Sequence, residues 1–160
     1  MYFLHSQKNE TPLIPDTCTI YWTNNYGVSG TWFVTNGEVS ATDDFTTPEK
    51  SGDEYHMDPS YTHGTLQGTL YGNVISGVMR YVTDRYTYTF SPGNSVCTEI
   101  RWGDTNYSFI TEFFGDHTFH SSVTYQDGYL YKERKGNCAS AGFESGLFQE
   151  VPFTETITYT

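Results

Sequence analysis

Positive charge is scarce in this sequence. Eight Lys and Arg stand against 19 Asp and Glu, for a net charge of −11. This excludes the basic footprint of a nucleic-acid binder and disfavours anionic membrane surfaces. It favours solubility and neutral or cationic partners. No apolar run approaches transmembrane length. Met1 to Leu4 is too short for a signal peptide and reads as the remnant of one or as a tail. Helix-forming runs of Ala, Leu, Glu and Lys are missing. So are the CxxC, HExxH, GxSxG, Walker and GxGxxG patterns, which leaves no zinc, nucleotide or dinucleotide signature. No metal and no cofactor is expected.

Aromatic residues are plentiful, at 18% of the chain, with 14 Tyr and 11 Phe. Large rings must therefore do much of the burial, many of them half in and half out of the core. Together with abundant Thr, Ser, Gly and Asn, this is an all-β composition.

The stretch from His63 to Phe90 organises the rest. Gly72-Asn73 reads as a type I′ hairpin turn, with positive φ at both positions. It places Leu66, Gly68, Leu70, Ile75, Gly77 and Met79 on one face, and Thr65, Gln67, Thr69, Ser76, Val78 and Arg80 on the other. A second turn near Thr83-Asp84 would set Phe90 opposite Gly77, a ring filling the gap over two glycines. A slot for a ligand ring is the functional reading of the same gap.

Residues 1–15 read as a tail and 16–160 as a single β domain. Asp16 to Thr23 alternates as a strand with Cys18, Ile20 and Trp22 on one face. Asn36-Gly37 turns a hairpin that opposes Val34 to Val39 and Trp32 to Ala41. Asp43 to Tyr61 reads as a long loop mixing carboxylates, rings and an imidazole.

Ser91 to Asn94 and Gly103-Asp104-Thr105 read as turns. A three-residue loop, Gly115-Asp116-His117, would oppose Phe113 to Phe119 and Phe109 to Val123. Gln126-Asp127-Gly128 reads as another loop, with Tyr129 and Tyr131 inward and Lys132 and Arg134 outward. Leu147 to Thr160 is one further extended stretch. The whole is a single-domain antiparallel meander of about ten strands. It must curl into an up-and-down barrel or half-barrel, with a β-sandwich as the alternative.

Of three cysteines, Cys18 points inward, Cys97 outward, and Cys138 lies in a connection. If the chain is oxidised, Cys97 and Cys138 are the expected disulfide. The sequons at Asn9 and Asn106, with the low Lys content, favour a secreted or extracellular protein.

Three functions fit. The first is a secreted binder of carbohydrate or another neutral polar ligand. The second is a barrel carrier of a small apolar ligand, with an unfilled interior lined by Leu66, Met79, Tyr81, Tyr88 and Trp32. The third is a barrel hydrolase, lyase or cyclase. A carboxylate pair for such chemistry is spatial and leaves no motif, so the reading leans to a binder with no catalytic residue assigned. The candidate ligand-binding residues are Asp53, Tyr55, His56, Tyr61, His63, Tyr81 and Tyr88. The tyrosines would stack, Asp53 would accept hydroxyl hydrogen bonds, and the histidines would donate or titrate. Rings that merely plug one end of a barrel are the bland alternative.

Overall fold

The computed structural model describes residues 13–91, 95–152 and 157–160. Among these residues it shows one antiparallel sheet of eleven strands and a single short 3-10 helix, Cys138–Ala141. The strands are β1 Cys18–Thr23, β2 Ser29–Thr35, β3 Glu38–Thr47, β4 Lys50–Gly52, β5 Tyr55–Met57 and β6 Ser60–Tyr71. They continue as β7 Val74–Phe90, β8 Cys97–Phe113, β9 Phe119–Gly136, β10 Gly146–Glu150 and β11 Ile157–Tyr159. The path runs β1-β2-β3-β6-β7-β8-β9-β10, the meander expected of short connections. Residues 1–12, part of the expected tail with the Asn9 sequon, and residues 92–94 of the expected Ser91 turn lie outside the described residues.

Turn chemistry sets the registers. Asn36 and Gly37 both take positive φ, and Val34 pairs with Val39 as expected. Gly72 alone takes positive φ at the next hairpin, so its geometry follows the type II′ pattern, not type I′. The register is unchanged: Leu66 pairs with Met79, and Leu70 with Ile75. The loop after β8 also has the expected length, pairing Phe113 with Phe119 and Phe109 with Val123.

Three expected turns are not turns. Thr83-Asp84, Gly103-Asp104-Thr105 and Gln126-Asp127-Gly128 lie inside β7, β8 and β9, strands of 17, 17 and 18 residues. Strands of that length span about 55 Å. The Gly and Asp residues mark a band where these strands bend together. Thr83 pairs with Gly103, Asp104 with Tyr129, and Asn106 with Asp127. One extra residue is inserted in β7 between Thr83 and Tyr86, and another in β9 opposite Asn106-Tyr107. Each bulge flips the faces of all residues beyond it. Tyr129 is therefore largely exposed, and Arg134 pairs with the buried Glu99 instead of pointing outward.

The long strands divide the molecule. Below the bend the sheet curls into a half-barrel. Its β1 edge comes close to β9 through Trp22 and Phe119, whose ring centroids are 6.4 Å apart. The Asn25 N–H donates to the Thr160 carbonyl at 2.8 Å across the same gap. The sheet is nevertheless open there, with no ladder between β1 and β9 or β11 among the described residues. The core at the closed end gathers Val34, Val39, Leu70, Ile75, Phe109 and Val123, each worth about 1.5–3 kcal/mol when fully buried. Ile14, at the end of the expected tail, joins it.

Above the bend, β5 takes over the β7 edge from β6, and β10 takes over the β9 edge from β11. The expected single final stretch is thus two strands. The expected loop from Asp43 to Tyr61 is likewise the second half of β3, the β4–β5 hairpin and the start of β6.

Candidate functional site

The half-barrel encloses a cavity of about 380 Å³. It lies on the concave face of the β1–β3 and β6–β9 region, and cross-strand rows build its wall. The deepest row is Val39, Gly68, Gly77 and Phe109, of which Phe109 reaches the lining. Ala41, Leu66, Met79 and Tyr107 form the next. Asp43, Gly64, Tyr81 and Thr105 form the third, toward the open end, with Asp43 and Tyr81 on the lining. Trp22 and Trp32 close the other side, 6.0 Å apart between centroids.

Glycines shape this wall. A Cβ on Gly77 would lie 2.0 Å from the Gln67 carbonyl oxygen, and one on Gly68 would lie 3.1 Å from the Phe109 ring. Phe109 of β8 therefore fills the gap that Phe90 was expected to fill, because β7 continues where a turn was read. At Gly64 the missing side chain admits the Tyr81 ring, which a Cβ there would meet at 2.7 Å. Tyr81 leans across the row toward β3 and stacks on Phe45 at 5.8 Å.

The ladder between β2 and β3 ends at Phe33–Ser40. Trp32 and Ala41 were expected to pair, and they do not. Both line the cavity where the two strands have parted. Thr31 and Thr42 line it as well, so the cavity reaches into the split.

Asp43 is the only carboxylate on the lining among the described residues, and no Lys, Arg or His lines it. The carboxylates near it have contacts of their own. Asp44 and Asp84 lie 3.3 and 3.4 Å from the His63 ring nitrogens, and Asp104 pairs with Arg80 at 2.5 Å. Asp43 takes part in none of these contacts. Partial burial against the wall, then the adjacent Asp44, hold its carboxyl above the usual carboxylate range. The indole N–H of Trp22 is buried on the same lining with no hydrogen-bond partner among the described residues.

The residues singled out from sequence do not converge. Tyr81 lines the cavity. Tyr55 and Tyr88 stack on each other above the bend, 5.9 Å apart and nearly parallel, with Phe90 against Tyr88. Tyr88 is thus absent from the cavity that it was expected to line with Leu66, Met79, Tyr81 and Trp32. His56 stands on the opposite face, bonded to Ser51 at 2.9 Å and Asp58 at 3.2 Å. His63 bridges Asp44 and Asp84 on the convex face. Tyr61 is exposed in β6, and Asp53 sits in the β4–β5 turn. Sequence reasoning missed Asp43 and Phe45 as lining residues. The signal was present: the alternation that puts Val39 and Ala41 inside continues through both.

Above the bend lies a buried charge network. Glu99, 2% exposed, accepts from Arg101 and, at 2.5 Å, from Arg134. The disulfide joins Cys97 and Cys138 beside it, and Cys18 is free. That pairing is as expected, but Cys97 is buried, not outward-facing. No group of three or more His, Cys, Asp or Glu is placed to hold a metal ion among the described residues. No helix is long and apolar enough to cross a membrane among them. Comparison with protein-family models, curated proteins and solved structures finds no match.

Proposed function

We propose that this protein binds a small, mainly apolar ligand inside the half-barrel. The observation that carries this reading is the unfilled cavity, walled by rings and aliphatic side chains with few polar groups. Its size falls within the usual range of small-molecule sites. A folded protein gains nothing in stability from leaving such a space open, since lining atoms lose dispersion contacts there. The unpartnered Trp22 N–H adds a polar group that a ligand acceptor would satisfy.

The carbohydrate reading rests on residues that fall in separate places, with Tyr55 and Tyr88 stacked on each other. The apolar-ligand reading is therefore preferred. Catalysis is not part of this proposal. A buried disulfide fits an oxidising compartment, and we place the protein outside the cytosol on that ground. The Asn106 sequon adds nothing, because Asn106 lies within β8 and its amide donates to Asp127 at 2.6 Å.

The test uses the neutral fluorophore N-phenyl-naphthylamine with the purified chain. Saturable one-to-one binding is expected, with quenching of Trp22 and Trp32. Ala41→Trp puts a large ring into the cavity beside the β2–β3 split. It should weaken binding about tenfold or more without lowering the melting temperature, since it occupies a void. Saturable binding that Ala41→Trp leaves unchanged would place the probe elsewhere.

A further inference from the structure

We propose that the ligand of the cavity is a small organic cation, an amine with an apolar or aromatic body, whose ammonium group docks on Asp43 beside Phe45 and Tyr81. This rests on the reading of the half-barrel as a ligand site and adds the chemical class of the ligand.

Three observations lead there. The first is position. Asp43 belongs to the concave row Asp43–Gly64–Tyr81, and its alternation partners Val39 and Ala41 face inward. It is exposed at the rim while Leu66 and Phe109 below it are buried, so it stands where the cavity meets solvent. The second is the absence of a charged partner among the described residues. Arg80 pairs with Asp104 and the His63 ring contacts Asp44 and Asp84, whereas Asp43 takes part in none of these contacts. The third is the ring arrangement. Tyr81 crosses over Gly64 toward Asp43, stacks on Phe45 at 5.8 Å and meets Tyr107 edge-on at 5.9 Å. Aromatic faces attract a cation through their quadrupoles, more strongly where water is excluded.

The alternatives are less well served. An anionic ligand would meet Asp43, with Asp44 next to it, and no basic side chain on the lining among the described residues. A purely neutral ligand would leave the carboxylate partly desolvated and unpaired. Burial and Asp44 both disfavour its ionised form, and an ammonium group relieves both. The net charge of −11 also draws cations toward the mouth.

The test compares three probes of one shape by calorimetry: tryptamine, a cation; tryptophol, its neutral alcohol; and indole propionate, an anion. Tryptamine should bind about tenfold tighter than tryptophol, and indole propionate more weakly than either. Asp43→Asn should erase the tryptamine advantage while tryptophol binding persists. Asp44→Asn, which also removes one charge, should retain most of the advantage. Asp43 has no ion pair to lose among the described residues, so Asp43→Asn should melt no lower than the parent. Equal binding of tryptamine and tryptophol, or an advantage that survives Asp43→Asn, overturns the cation assignment and leaves the apolar cavity standing. Failure of all three probes, with failure of the neutral fluorophore, overturns both.

Discussion

Gly68 and Gly77 show how missing side chains decide which ring packs over a pair of strands. They pair directly, and Phe109 occupies the room above them. A Cβ on Gly77 would meet the Gln67 carbonyl oxygen at 2.0 Å and the Gly68 Cα at 2.5 Å. Both are backbone, so neither yields without breaking the β6–β7 ladder. Gly77→Ala should therefore cost about 3 kcal/mol, the upper range of overpacking. Gly72 makes a useful contrast. Nothing lies within 4 Å of a Cβ there, but its φ of 62° is left-handed. Gly72→Ala should cost only about 1–2 kcal/mol. Denaturant unfolding of the two variants checks the order, and equal losses would contradict it. The glycine pair was legible in the sequence, because a two-residue turn at Gly72-Asn73 fixes both strands. The ring above it was not. Choosing Phe109 over Phe90 requires knowing that β7 runs on past Asp84, which is a fact about the sheet.

Strand length is where the sequence misled, for a physical reason. Asp and Gly favour turns because they tolerate unusual φ or cap their own backbone. Bulges draw on the same residues, so Asp84, Asp104 and Gly128 read alike in either role. Only the neighbouring strand distinguishes them. Asp84 and Arg85 together oppose Trp102, and the Arg85 guanidinium lies 4.3 Å from the centre of that ring. Asn36-Gly37 and the Gly115–His117 loop were legible because their flanking apolar patterns agree on one register. The alternation through Asp43 was legible too, but the density of acids obscured it.

Deleting Arg85 tests the role of the bulge. Without the extra residue, Tyr86, Tyr88 and Phe90 would move to the opposite face. Tyr88 would lose Tyr55, and Phe90 would lose Phe143. The expected loss is about 3 kcal/mol or more, comparable with truncating a core aromatic, together with a weakened near-ultraviolet aromatic signal. A deletion variant with parental stability and signal would mean that the bulge re-forms elsewhere in β7.

At the scale of the whole molecule, the two ends of the long strands are stabilised differently. The half-barrel relies on an apolar core at its closed end and leaves its mouth open. The upper end carries short strands and few aliphatic residues, and it is fastened by the disulfide and by Glu99. Cys97 and Cys138 are 41 residues apart. Closing a loop of that size is worth about 4 kcal/mol in the chain-entropy model. Replacing both cysteines with alanine should lower stability by that order and loosen the upper end first. Hydrogen exchange should show β10 and the Cys97–Ile100 part of β8 losing protection before Leu66–Tyr71 does. Uniform loss of protection across both ends would show that they do not open separately.

Glu99 sets the acid limit of the same end. Burial alone would raise its carboxyl, but hydrogen bonds from Arg134 and Arg101, reinforced by their charge, outweigh it and hold it below its ordinary value of 4.5. A carboxyl with a lowered folded-state pKa lends stability that is complete above the unfolded value. That contribution declines as pH falls below about 4.5 toward the folded pKa. Stability should therefore be level with respect to this group at neutral pH and fall in acid. Glu99→Gln separates this group from the other acids. At neutral pH it leaves Arg134 and Arg101 without their carboxylate and should cost about 3 kcal/mol, as breaking a buried pair does. Below pH 4.5 the gap between variant and parent should narrow, because the parent is losing the same charge. Unfolding free energies measured from pH 7 to pH 3 report that gap directly. A gap constant across the range would mean that Glu99 stays ionised throughout or that its charge contributes nothing.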